Sequence, residues 1–166
     1  MTMLGNRLRE HGVIIHEPIT LRSGEVSQFY ADIKKAFGDP ELLQELAQAT
    51  AENLDDKTTC LAAAGYGGLP LGVAVSQIQG IPLSMVRDTE KNHGKKSLID
   101  GYIPTPDDVV SIVNDVYTTG SSPSHTIETI ETTGAQVIGC HVILSRGDSE
   151  SFHYPVSHLL HSYELL

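Results

Sequence analysis

Short apolar runs alternate along the chain with stretches that carry an apolar face at helical spacing. "TTCLAAAG", "IPLSMVRD", "VVSIVND" and "QVIGCHVILSRG" read as buried strands. "YGGLPLGVAVSQIQG" reads as a turn into a helix that ends at Gly80. Ser122 to Gly134 reads as a second helix, with hydroxyls at its start and glycine at its end. Further upstream, Leu42, Leu43, Leu46, Ala47 and Leu54 form one apolar face, with Asp39 as N-cap and Pro40 at the first helical position. Thr2 to Glu10 predicts a short helix, and "GVIIHEPITLRSGEVSQFYADIKKAF" a β-rich segment with Ser-Gly at its turn. Asp88 to Gly101 is polar, rich in Gly and Lys and without period, which predicts a long loop. The tail sequence "VSHLLHSYELL" fits an edge strand or a short helix. Strands that alternate with helices imply an α/β fold with a mainly parallel sheet covered on both faces.

The chain has 166 residues with no internal repeat and no linker, which predicts one domain spanning 1–166. A formal net charge of -10, with no dominant basic run, argues against a nucleic-acid or anionic-membrane binder. The two cysteines, Cys60 and Cys140, lie inside apolar runs and read as small buried hydrophobes. There is no apolar stretch of transmembrane length, and "MTMLGNRLREHG" is too polar for a signal peptide, so a cytoplasmic location is expected. His153, His158 and His161 cluster without a recognisable ligand set, and Asp107-Asp108 reads as a turn before a strand.

Four segments carry candidate chemistry. In "VVSIVNDVYTTGSS", Asn114 and Asp115 end a strand, and Thr118, Thr119, Gly120, Ser121 and Ser122 form a turn into a helix. Such a turn offers backbone N–H groups and hydroxyls to an anion, although it also fits an ordinary capped turn. In "VRDTEKNHGKK", Arg87, Lys91, His93, Lys95 and Lys96 share one stretch, a basic cluster unusual in so acidic a chain. It fits either a lid over a polyanion or a solvated loop. "LRSGEVSQFYADIKK" offers Arg22, Ser23, Gly24, Tyr30 and Asp32 near one turn, or else a hairpin with a charged tip. In "AAAGYGGLP", small residues permit close approach to a ligand, or simply tight packing of strand on helix.

These segments, in this order, resemble the type I phosphoribosyltransferases, and within them look most like the orotate branch. "NDVYTTGSS" matches the family's phosphate loop at all but its first acid. Arg87, Lys91, His93, Gly94, Ile99 and Gly101 match the loop that separates the orotate branch from purine-salvage relatives. Leu21, Arg22, Ser23, Gly24, Ser27, Tyr30 and Asp32 match the N-terminal pattern, and "ILSRG" matches a strand end that carries an orotate-binding arginine.

The resemblance implies a mainly parallel five-stranded core (about 37–147) under a small N-terminal hood (about 1–36 with part of the tail). It implies reversible transfer of the 5-phosphoribosyl group from phosphoribosyl pyrophosphate (PRPP) to orotate. The products would be orotidine 5'-monophosphate and pyrophosphate, within de novo pyrimidine synthesis. Magnesium would be held mainly by PRPP. A homodimer is implied, with the Asp88–Gly101 loop reaching the neighbouring site. Lys91, His93 and Asp115 are the implied catalytic residues. Arg87, Lys91, His93, Asn114, Asp115, Thr118, Thr119, Gly120, Ser121 and Ser122 would bind PRPP, and Arg22, Ser23, Gly24 and Arg146 would bind orotate. Asn114 in place of an acid, and Asp88 where a second basic residue is common, depart from the pattern. They keep open transfer to another base, or a catalytically weak nucleotide-binding regulator on the same fold.

Overall fold

The structure is a computed structural model, and it describes residues 3–15, 19–20, 26–27, 30–89, 97–147, 149–150 and 152–165. The chain opens with helix α1 (Met3–Glu10), then the short strands β1 (Ile14–Ile15), β2 (Ile19–Thr20), β3 (Val26–Ser27) and β4 (Tyr30–Ala31), and a 3-10 turn, Ile33–Gly38. β1 pairs antiparallel with β4, and β2 with β3. Helix α2 (Pro40–Glu52) follows. As the sequence predicts, Asp39 caps it, accepting from the amides of Glu41 and Leu42 at 2.9 and 3.2 Å. Leu42, Leu46 and Ala47 are buried, and Leu54 packs against the same core.

The main body comprises β5 (Cys60–Ala64), α3 (Gly65–Gln79), β6 (Leu83–Val86), β7 (Ile99–Gly101), β8 (Val109–Tyr117), α4 (Ser121–Glu131), β9 (Gln136–Ser145) and β10 (Val156–His161). The sheet order is β10-β9-β8-β5-β6-β7. Five of the six strands run parallel and β7 is antiparallel at one edge, so the sheet is mainly parallel as expected, with one strand more than the five expected.

Three local readings change. The segment read as one long loop to Gly101 ends in β7, because Ile99 is buried beside Val86 and the two strands pair. The glycines of "AAAGYGGLP" are not a turn before the helix: α3 begins at Gly65 directly after β5. The tail resolves to a strand, β10, followed by a 3-10 turn, Ser162–Glu164.

Two apolar clusters flank the sheet. One joins the hood residues Leu8, Val13, Ile14, Ala31, Ile33 and Ala36 to α2, α3 and Val113. The other lies under α4, around Val110, Ile112, Ile127, Ile130 and Val142. Along β8, Val110 and Ile112 face α4 and Val113 faces the hood, and past Asp115 the alternation shifts, with Val116 on the hood side and Tyr117 on the α4 side. Cys60 and Cys140 are buried free thiols, as expected. Among the described residues, no helix is long and apolar enough to cross a membrane.

Candidate active site at the carboxyl edge of the sheet

Parallel strands present their carboxyl ends on one edge, and β8 delivers the centre of the site there. Asn114 and Asp115 are both buried, but as neighbours on a strand they diverge. Asn114 lies by Gly68 and the first turn of α4, near Ser122, Pro123 and Thr126. Its Nδ2 donates weakly to the Val116 carbonyl at 3.4 Å. Asp115 turns to the hood side, against the backbone of Gly67. A β-carbon on that glycine would sit 2.2 Å from Asp115 Oδ1.

Asp115 accepts the Val116 amide at 2.8 Å, and Lys34 Nζ stands 3.7 Å from its Oδ2. Burial pushes its pKa above the ordinary carboxylate value, more than the Val116 amide and the Lys34 charge pull it down. A carboxylate with few fixed donors keeps acceptor capacity for a ligand.

The turn after β8 has the form of an anion cradle. Thr118, Thr119, Ser121 and Ser122 are exposed while Gly120 is buried. Gly120 is the N-cap of α4 at φ 80°, a left-handed conformation, and brings no side chain to cap the helix. The first-turn amides and surrounding hydroxyls are thereby directed to an incoming anion. Behind the turn, a β-carbon on Gly120 would meet the Phe152 ring at 2.8 Å, and Phe152 packs edge-on against buried Tyr117 at 5.5 Å. The Arg146 amide donates to the Tyr117 carbonyl at 2.9 Å, so Arg146 begins directly beside this turn.

A cleft of about 430 Å³ opens over the turn, lined by Ala64, Gly65, Asp88, Ser121, Ser122 and His125. Asp88 therefore faces the same space as Ser121 and Ser122. His125, whose Nε2 lies 3.0 Å from the Arg87 carbonyl, was not singled out by sequence reasoning. Its spacing of four from Ser121 was the available signal, because it puts both on one helix face. Lys34 was likewise missed, since nothing local ties it to Asp115. Arg87 directly follows β6 and pairs with Asp100 of β7, rather than lining the cleft. Arg22, Ser23, Gly24, Lys91 and His93 lie outside the described residues.

Among the described residues, no three His, Cys, Asp or Glu groups converge as a metal cage.

A phosphoribosyl transferase domain model matches residues 35–159. The chain is 37% identical over 150 residues to an orotate phosphoribosyltransferase of Methanosphaera stadtmanae, covering 89% of this chain and 84% of that one. Its fold superposes on the crystal structure of orotate phosphoribosyltransferase from Aeropyrum pernix with TM-score 0.87 and 26% identity, covering 99% and 96% of the two chains. It also superposes on Leishmania donovani UMP synthase with TM-score 0.83 and 23% identity. There it covers 98% of this chain but 36% of the other, and at that identity the likeness is one of fold. With the family model spanning most of the chain and the Methanosphaera stadtmanae relative matched over most of its length, the chain belongs to the phosphoribosyl transferase family, in its orotate phosphoribosyltransferase group.

Proposed function

We propose that this protein transfers the 5-phosphoribosyl group from PRPP to orotate. A ring nitrogen of orotate bonds to the anomeric carbon as the bond from that carbon to pyrophosphate breaks. The observation that carries this reading is the buried Asp115 carboxylate near the carboxyl end of β8, followed directly by the turn Thr118–Ser122, which has no side-chain cap and whose Ser121 and Ser122 line the cleft.

The reaction passes through an oxocarbenium-like state, so the protein's work is to position two reactants and stabilise charge. Thr118, Thr119, Gly120, Ser121 and Ser122 would hold the 5'-phosphate. Asp115 would accept hydrogen bonds from the ribose hydroxyls and favour the developing positive ring, with Asn114 a neutral neighbour. Arg87, Lys91 and His93 would meet the pyrophosphate, Arg87 after leaving Asp100. Arg22, Ser23, Gly24 and Arg146 would hold orotate. Mg2+, held mainly by PRPP, would neutralise charge on the leaving group.

A homodimer accords with the outer face of α3, where Tyr66 is 89% exposed and Val73, two turns on, is also exposed. Lys91 and His93 would then act on the neighbouring subunit's site. Buried free thiols accord with a reducing, cytoplasmic setting. A weakly catalytic regulator is the second reading, favoured by Asp88, whose carboxylate lines the cleft that the pyrophosphate would enter.

The test is orotate consumption with PRPP and Mg2+, run beside a panel of other bases. Turnover with orotate is the expected result, and Lys91→Ala should lower kcat far more than it weakens substrate binding. Preference for another base, or binding without product, would overturn the proposal.

A further inference from the structure

Lys34 occupies a position that the reaction chemistry above does not use. It lies in the 3-10 turn Ile33–Gly38 of the hood, and its side chain is 49% exposed. Its ammonium stands 3.2 Å from Asp32 Oδ1 and 3.7 Å from Asp115 Oδ2. One cation thus bridges a hood carboxylate to the carboxylate at the carboxyl end of β8. The Asp32 oxygen is buried, and the Lys34 ammonium is the cation that faces it.

We infer that Lys34 is a positioning residue for phosphoribosyl transfer, fixing the Asp115 carboxylate, ionised, toward the ribose from the hood side. This rests on the reading of Asp115 as the ribose-facing acid. The geometry gives Asp115 two constraints: the Val116 amide holds Oδ1 from within the strand, and Lys34 faces Oδ2 from outside. The Gly67 backbone closes the third side, where any side chain would collide with the carboxylate.

Among the described residues, the charged groups acting on Asp115 are Lys34, which favours its ionised form, and Asp32, which opposes it. Asn114 beside it and Gly67 across from it bear no charge. Partial burial works against the charge of Lys34, but Asp32 and Asp115, with a smaller influence from Tyr30, hold its pKa above the ordinary lysine value. It is therefore a fixed cation throughout the range in which Asp115 titrates. An opposite charge at this range shifts a carboxylate pKa by about one unit or more.

The experiment uses the full chain as wild type, Lys34→Met and Lys34→Arg. In the ligand-free proteins, the Asp115 carboxyl is titrated by NMR, with Asp115→Asn to assign the signal. Orotate turnover is then measured from acid to neutral pH, with kcat and KM for PRPP separated. We expect Lys34→Met to raise the Asp115 pKa by about one unit. The acid limb of kcat/KM should move by the same amount, with kcat/KM reduced about tenfold at the acid end. Lys34→Arg should restore most of both. An unmoved Asp115 titration in a folded Lys34→Met protein overturns the inference, whether or not the wild type turns over orotate. A defect confined to KM for PRPP, with the acid limb in place, overturns it in favour of direct substrate contact. Absence of orotate turnover in the wild type, with the carboxyl titration shifted as expected, would instead count against the function proposed above while leaving the Lys34–Asp115 coupling in place.

Discussion

β8 carries a buried carboxylate at each end, and the two live in opposite electrostatic environments. Asp108, just before the strand, and Asp115, near its carboxyl end, are each only 9% exposed. Asp108 accepts from Thr59 Oγ1 at 2.9 Å, Tyr102 Oη at 2.9 Å, the Thr105 amide at 2.8 Å and Thr105 Oγ1 at 3.0 Å. Burial opposes its charge, but the Thr105 amide and the hydroxyls outweigh that and hold its pKa below the ordinary value. Asp115 has one amide and a cation at 3.7 Å, and burial wins. A carboxylate with its acceptor sites filled anchors the fold. One that is buried and under-supplied is poised for a ligand that brings its own donors.

Substitution at Asp115 should break this comparison most visibly. Asp115→Asn removes the charge at little cost in shape and should lower kcat/KM by about 10²–10³. Its melting temperature should be unchanged or higher. Loss of folding with activity per folded molecule intact would reverse the assignment of the two ends.

Asp108→Ala should act the other way. It orphans the donors gathered by Thr59, Tyr102 and Thr105 and should cost on the order of 1–3 kcal/mol of stability. Denaturant unfolding measures the loss, and turnover of the folded fraction should hold.

The pH dependence separates the two groups by sign. Asp108, with its pKa lowered, stabilises the fold above the ordinary value of 3.8, and this is lost as pH falls through its folded value. Asp115, with its pKa raised above 3.8, ionises in the unfolded chain first and so costs stability as pH rises through that window. Melting curves of Asp115→Asn should therefore lose a destabilising slope above pH 3.8, while those of Asp108→Asn lose a stabilising one at lower pH. Parallel curves would contradict both assignments.

Two smaller changes probe the carboxyl end alone. Gly120→Ala forces a side chain into a left-handed backbone, at about 1–2 kcal/mol, and presses on Phe152. It should raise KM for PRPP more than it lowers kcat, read by initial rates. Asn114→Asp should leave turnover equal or higher, because that side chain faces α4 rather than Asp115. A severe loss would show that a neutral group is needed there.

The order of strands and helices, the capped start of α2 and the hydroxyl-rich turn after β8 are all legible in the amino-acid sequence. Each depends on neighbours along the chain: periodicity through Leu42, Leu46 and Ala47, the Asp39-Pro40 cap, and the run Thr118–Ser122 after an apolar strand. β7 is not legible there, because three residues pair only when Val86 lies alongside Ile99. β10 is half legible: the tail fits an edge strand or a short helix, and pairing with β9 decides for the strand.

At the site, sequence determined the residue types and their order: an acid at a strand end, then a turn of hydroxyls and glycine. Tertiary structure alone decided what each meets. It set Asn114 and Asp115 on different sides of the sheet, engaged Arg87 with Asp100, and faced Asp88 and His125 into the cleft. It also brought Lys34 across 81 positions of chain to within 3.7 Å of Asp115. The reason is physical: cap, turn and period are short-range preferences of the backbone. The charge and burial that set a carboxylate's chemistry come instead from segments that meet only once the hood has closed on the sheet.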